Sequence, residues 1–141
     1  KLHAHYIFPE VAQQMDIARD APEGFELLSG DDAVTLPLMA LGYKGVISVV
    51  ANQIPRAMHD LTKACASGDF AKARAIHNRY LALMNLNFVE SNPIPVKAAM
   101  AAMGLLEEHY RLPLVPPSAA ARENVLRVLQ TLKLGVHEHA R

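Results

Sequence analysis

Two short apolar runs, separated by about one helix of sequence, constrain this chain more than any other feature. Phe25 to Ser29 is entered through Pro22 and Gly24 and closed by Gly30, while Val46, Ile47, Val49 and Val50 form a β-branched run broken only by Ser48. Such a run, without polar alternation, is the pattern of a strand covered on both faces. Between the two, Leu36 to Leu41 reads as a short helix with Thr35 as its N-cap, Pro37 in its first turn and Gly42 as its terminator. Strand, helix, strand over a connection of this length is a βαβ unit, so the two strands must run parallel. A pair of parallel strands leaves N–H and C=O groups unmatched on both flanks, and something else must complete the sheet.

The rest of the chain is helical in character. Ile54, Met58, Leu61 and Cys65 recur at helical spacing up to Ser67-Gly68, and Asp69 can cap a long helix carrying Ala73, Ile76, Tyr80 and Leu83 on one stripe. Fraying is expected over Asn85 to Ser91, ahead of an Asn92-Pro93-Ile94-Pro95 turn. Helix then resumes from Val96 to Leu106, with Ala98 to Ala102 suited to close packing. Leu112 to Pro117 is an extended connector, and Ser118 caps a last helix whose Val125, Val128, Leu129 and Leu132 face inward. At the other end, Pro9 to Ala21 looks helical through Val11, Met15 and Ala18, and Lys1 to Phe8 could be a strand remnant.

With 51% apolar and 20% charged residues in a chain of 141, the composition is globular. Fourteen basic side chains balance fourteen acidic ones, so no overall field favours nucleic acid or an anionic membrane, and neither is expected as a partner. No apolar run approaches the roughly 20 residues of a membrane span, and no signal segment follows Lys1; the reading is a soluble, cytoplasmic protein. The single Cys65 lies on an apolar stripe and reads as a small core residue. His3 with His5, and His137 with His139, would share a face if extended, but no cysteine joins them and no metal is expected. His59, His77 and His109 read as helix-surface residues, and Met58, Met84, Met100 and Met103 as packing residues.

A parallel sheet with outer helices is either doubly wound or an eight-stranded barrel, and a whole barrel takes about 250 residues. Gly30-Asp31-Asp32 after the first strand, Gly45-Val46-Ile47-Ser48-Val49 with Ala51-Asn52 in the second, Glu90-Ser91-Asn92-Pro93-Ile94-Pro95-Val96-Lys97, and Leu112-Pro113-Leu114-Val115-Pro116 together resemble the carboxy-terminal part of the dihydrodipicolinate synthase family. The likeness spans about Phe25 to Leu134. Sialic-acid lyases look similar in fold but usually carry another pattern where Asp31-Asp32 stands. The resemblance implies an α/β fold, the carboxy-terminal part of a (β/α)8 TIM barrel with its last two parallel strands, followed by an extra helical layer. On that basis residues 1–53 hold the terminal βα units, and residues 54–141 the last barrel helix and the carboxy-terminal helical region.

The family's reaction is of the class I aldolase type. A lysine condenses with pyruvate, and the enamine attacks the aldehyde of aspartate semialdehyde on the route to lysine, with no cofactor. A protonated imine is an electron sink, which lets the pyruvate methyl lose a proton near neutral pH. In the family that lysine ends the strand ahead of Phe25 in a Lys-acid-x-Ser/Thr-Gly pattern, and no such pattern stands here; the imine lysine and the proton-relay tyrosine are expected upstream of this chain. Lys1 is the only lysine ahead of Phe25, followed by Leu2-His3-Ala4-His5. Tyr6 and Tyr43 are not taken as substitutes for the relay, nor Lys44 and Lys97 as imine sites. What the resemblance carries over is a pocket wall for pyruvate and an aldehyde: Ile47, through its backbone, with Gly30 and Asp31 at the mouth. Without it, Gly30 reads as a turn glycine, Asp31 as a helix-start acid and Ile47 as a buried β-branched residue. The partner expected is the missing barrel portion or a homo-oligomer. The alternatives are a catalytically inactive packing or oligomerisation module, or another pyruvate-dependent aldolase.

Overall fold

The helical spacings of the sequence become six helices in the computed structural model, which describes residues 11–135. Lys1 to Phe8 and the four terminal histidines lie outside the described residues, so the strand remnant, Lys1, Tyr6 and the His pairs find no description. The helices are α1 (Val11–Asp20), α2 (Thr35–Ala40), α3 (Pro55–Ala66), α4 (Phe70–Leu86), α5 (Ile94–Ala102) and α6 (Ala119–Thr131). Two compact units divide the chain, one formed by Lys1–Ser48 and Arg56–His77 and the other by Val49–Pro55 and Asn78–Arg141.

In the first unit, the stripe read from sequence is the core side of α3: Met58, Leu61 and Cys65 are buried, joined by Ala64. Burial raises the Cys65 thiol above its ordinary range, which keeps it protonated and inert. Gly68, in the left-handed conformation with φ +79°, ends the α3 turn, and Asp69 caps α4 by accepting from Lys72 N–H at 3.0 Å. His77 departs from the expected surface position. It is only 9% exposed on α4, and burial lowers its basicity because the imidazolium would lose its hydration. It follows Ala73 by one helical turn, and the stripe is wide enough to take it in.

The two expected strands are reduced to one parallel bridge, Ser29 with Val46. Ser29 N–H donates to Gly45 O at 2.8 Å, and Ile47 N–H donates to Ser29 O at 2.8 Å, as a parallel pair requires. One rung earlier, Lys44 N–H donates to Leu27 O at 2.8 Å, which sets Leu27 opposite Tyr43. Two steps along the first segment therefore match three along the second. That is the count of a β-bulge, and it breaks the ladder before a regular strand can form. The β-branched run does not continue as a strand either: Val50–Asn52 is a 3-10 turn, with Asn52 N–H donating to Val49 O at 3.1 Å. Thr35 is the first residue of α2, not its cap, the cap position being Val34. The Thr35 hydroxyl is engaged elsewhere, as described below.

The second unit packs α5 against α6 and against the Val50–Asn52 turn. Ala98, Ala99 and Ala102 are buried on α5, and Val125 and Leu129 on α6, so small residues on one helix admit large ones on the other. Pro93 stands at the cap of α5 and Pro95 in its first turn, where no intrahelical N–H is needed. This helix starts earlier and stops sooner than the expected Val96 to Leu106, because Gly104 at φ +72° turns the chain. Ser118 caps α6, accepting from Ala121 N–H at 3.2 Å. A buried amide pair joins the 3-10 turn to α4: Gln53 Nε2 donates to Asn87 Oδ1 at 3.1 Å, and Asn87 Nδ2 donates back to Gln53 Oε1 at 3.0 Å. No described helix is long and apolar enough to cross a membrane.

Candidate functional site

The site expected from Gly30, Asp31 and Ile47 is built on the parallel bridge. The bond from Ile47 N–H to Ser29 O fixes the Ile47 backbone one peptide unit from Gly30, so the pairing brings all three residues together within the first unit. Asp31 then heads a tightly bonded turn. Its Oδ1 accepts from Ala33 N–H at 2.7 Å, and its main-chain oxygen accepts from two hydroxyls, Ser29 Oγ at 2.7 Å and Thr35 Oγ1 at 3.0 Å. Ser29 Oγ also accepts from Asp31 N–H at 3.3 Å. Sequence reading missed Ser29 and Thr35 as the residues that fix this turn. The available signal was a serine closing an apolar run and a threonine one helical turn beyond an aspartate, the pattern in which a hydroxyl bonds local backbone.

Ile47 was read, on its residue type alone, as a buried β-branched side chain. It is 69% exposed. Phe25 and Leu28 are exposed as well, so the first unit presents apolar side chains on and beside the paired segments. Tyr43 is turned inward, its hydroxyl donating to Gln14 Oε1 at 2.6 Å, and burial raises its ionisation above the ordinary phenol range. Lys44 is exposed. The arrangement brings together a carboxylate, an exposed apolar side chain and main-chain groups of fixed direction.

A partly buried polar cluster lies in the second unit. Arg122 forks onto Glu108 with Nη1 to Oε2 at 2.8 Å and Nη2 to Oε1 at 2.5 Å, and Tyr110 Oη donates to Glu108 Oε1 at 2.9 Å. Arg122 holds the Glu108 carboxyl below the ordinary carboxylate range. Burial first, and Glu108 next, push the Tyr110 phenol up. Lys97 donates to His109 O and sits 5.2 Å over the Tyr110 ring, which engages its ammonium.

The pattern of this turn and these helices has close relatives. A family model described as the dihydrodipicolinate synthetase family matches residues 8–132. The chain belongs to this family. A 4-hydroxy-tetrahydrodipicolinate synthase of Koribacter versatilis (strain Ellin345) is 55% identical over 104 residues, covering 74% of this chain and 35% of the relative. Among solved structures, dihydrodipicolinate synthase from Aquifex aeolicus superposes with a TM-score of 0.87 at 42% identity, over 92% of this chain and 44% of that one. The chloride-inhibited dihydrodipicolinate synthase from Acinetobacter baumannii complexed with pyruvate gives 0.84 at 35% identity, over 89% and 43%. The chain thus spans between 35% and 42% of the length of the curated family members it matches most strongly.

Proposed function

We propose that this chain is the carboxy-terminal portion of a 4-hydroxy-tetrahydrodipicolinate synthase, a cytoplasmic lyase of the class I pyruvate-aldolase type. It would contribute the last two parallel strands of a (β/α)8 barrel within residues 1–53, and the last barrel helix with a trailing helical layer within residues 54–141. Gly30 and Asp31 form the mouth of the pocket, and the Ile47 backbone its wall against pyruvate. The amine that condenses with pyruvate, and the phenol that relays the proton, belong to polypeptide outside this chain. The observation that carries the reading is the bond from Ile47 N–H to Ser29 O, which joins the carboxyl end of one segment to the next where barrel chemistry gathers. The exposure of Ile47 agrees with a residue that faces a lumen built by other strands.

Borohydride trapping with pyruvate, read by intact mass, tests this. The expected result is no stoichiometric adduct on the 141-residue chain and a full adduct on a complete family member. A stoichiometric adduct on this chain alone would defeat the assignment of the imine amine. A packing or oligomerisation module without chemistry is the second reading, favoured by the 88% exposure of Leu112, with Leu105 and Val115 also exposed. A stable self-assembly without pyruvate chemistry would favour it.

A further inference from the structure

Ser29 bonds in two directions. Its main chain faces the second segment, donating to Gly45 O and accepting from Ile47 N–H, each at 2.8 Å. Its side chain faces the turn: Oγ donates to Asp31 O at 2.7 Å and accepts from Asp31 N–H at 3.3 Å. Thr35 Oγ1 donates to the same oxygen at 3.0 Å. A hydroxyl has one proton to give and a carbonyl oxygen has two lone pairs, so the two hydroxyls together fill Asp31 O. With its N–H held as well, the peptide planes on both sides of Asp31 are fixed, although Gly30 brings no side chain to restrain them. Ser29 is 1% exposed and Thr35 0%, so neither side chain can reach a bound molecule, and any effect they have on chemistry passes through Asp31.

We infer that Ser29 and Thr35 are positioning residues for the aldehyde-binding step of the proposed reaction. The inference rests on the reading of Ile47 as the wall against pyruvate and of Gly30 with Asp31 as the mouth. Ser29 joins the two, the wall through its main chain and the mouth through its side chain. These links are separable: truncating the hydroxyl leaves the bond from Ile47 N–H to Ser29 O in place and releases only Asp31. Pyruvate joins first, at the wall, and the aldehyde enters afterwards past the mouth. Loss of either hydroxyl therefore weakens binding of the second substrate and spares the first. Each loss alone leaves Asp31 O one donor, whereas both together leave it none, so the two effects are coupled rather than independent.

The test is a graft in which the part of this chain that superposes on dihydrodipicolinate synthase from Aquifex aeolicus, residues 29–35 included, replaces the corresponding part of that enzyme. Steady-state kinetics are then read with pyruvate and aspartate semialdehyde varied separately. Ser29→Ala and Thr35→Val should each raise the aldehyde KM roughly three- to tenfold, the worth of one hydrogen bond, while the pyruvate KM and borohydride trapping of the pyruvate imine stay at the parent level. The double variant should raise the aldehyde KM by more than the product of the two singles. Thr35→Ser, which keeps the hydroxyl, should restore the parent value. A merely structural role would lower the active fraction, reducing kcat and leaving both KM values alone. That result overturns the proposal, as does a rise in both KM values together, or a Thr35→Ser variant as damaged as Thr35→Val. If Ser29→Ala does not fold, Thr35→Val decides, since it removes a donor to the same oxygen. A parent graft that traps no pyruvate would instead strike at the family reading, so the two failures are distinguishable.

Discussion

The Ser29–Val46 pairing and the α5–α6 pair are held together in opposite ways. The first rests on three main-chain bonds, a register slip and a turn tied by two hydroxyls, with large apolar side chains left in solvent. The second buries alanines against Val125 and Leu129 and adds an Arg122–Glu108 fork of charge-assisted bonds. The difference teaches that one region is held by buried side chains, while the other carries the candidate residues Gly30, Asp31 and Ile47 and is held mainly by hydrogen bonds. Local opening free energies follow buried contact density, so amides of α5 and α6 should outlast those of residues 27–47 in hydrogen exchange.

Three substitutions break or sharpen that contrast, in falling order of effect. Leu129→Ala removes a fully buried side chain from α6 and should cost about 2–5 kcal/mol in urea unfolding, with little change in exchange at residues 27–47. Next, Gln53→Leu alone strands the amide of Asn87 and should cost about 1–3 kcal/mol, whereas the double change Gln53→Leu with Asn87→Leu should recover most of it. An additive double variant would show that the two amides do not act as a pair. Last, Arg122→Met should cost about 1–2 kcal/mol near neutral pH, once solvent screening of this partly exposed pair is allowed for. Because Arg122 lowers the carboxyl of Glu108 in the folded state, the fork's stabilisation is complete above the ordinary glutamate range and is lost as pH falls through the lowered value. The gap between the parent and Arg122→Met should therefore narrow on acidification; a gap that is constant with pH would assign Arg122 to packing alone.

Much of the helical part was legible in the sequence. The Met58, Leu61 and Cys65 stripe and the Asp69 and Ser118 caps all express physics confined to one turn of chain. What escaped depends on neighbours distant in sequence. A β-branched run states a preference for extended backbone, yet a strand exists only where a partner keeps register, and between Leu27 and Val46 register slips by one residue. His77 looked like a surface residue because nothing in its type tells which side of a helix will be covered. The Gln53–Asn87 pair links residues more than thirty positions apart, beyond any local spacing rule. For the site, Gly30, Asp31 and Ile47 were suggested by resemblance, and Ser29 and Thr35, which fix the turn, were passed over because a hydroxyl's partner cannot be read from its letter.

The slip at Lys44 has a consequence for how this chain tolerates changes in length. Since the second segment holds one residue more than its neighbour needs, a deletion at that point would even out the ladder, and both Tyr43 and Val46 would keep the faces they now show. An insertion would set four steps against two, a larger excess than a single-residue bulge takes up. Shortening is absorbed here and lengthening is not.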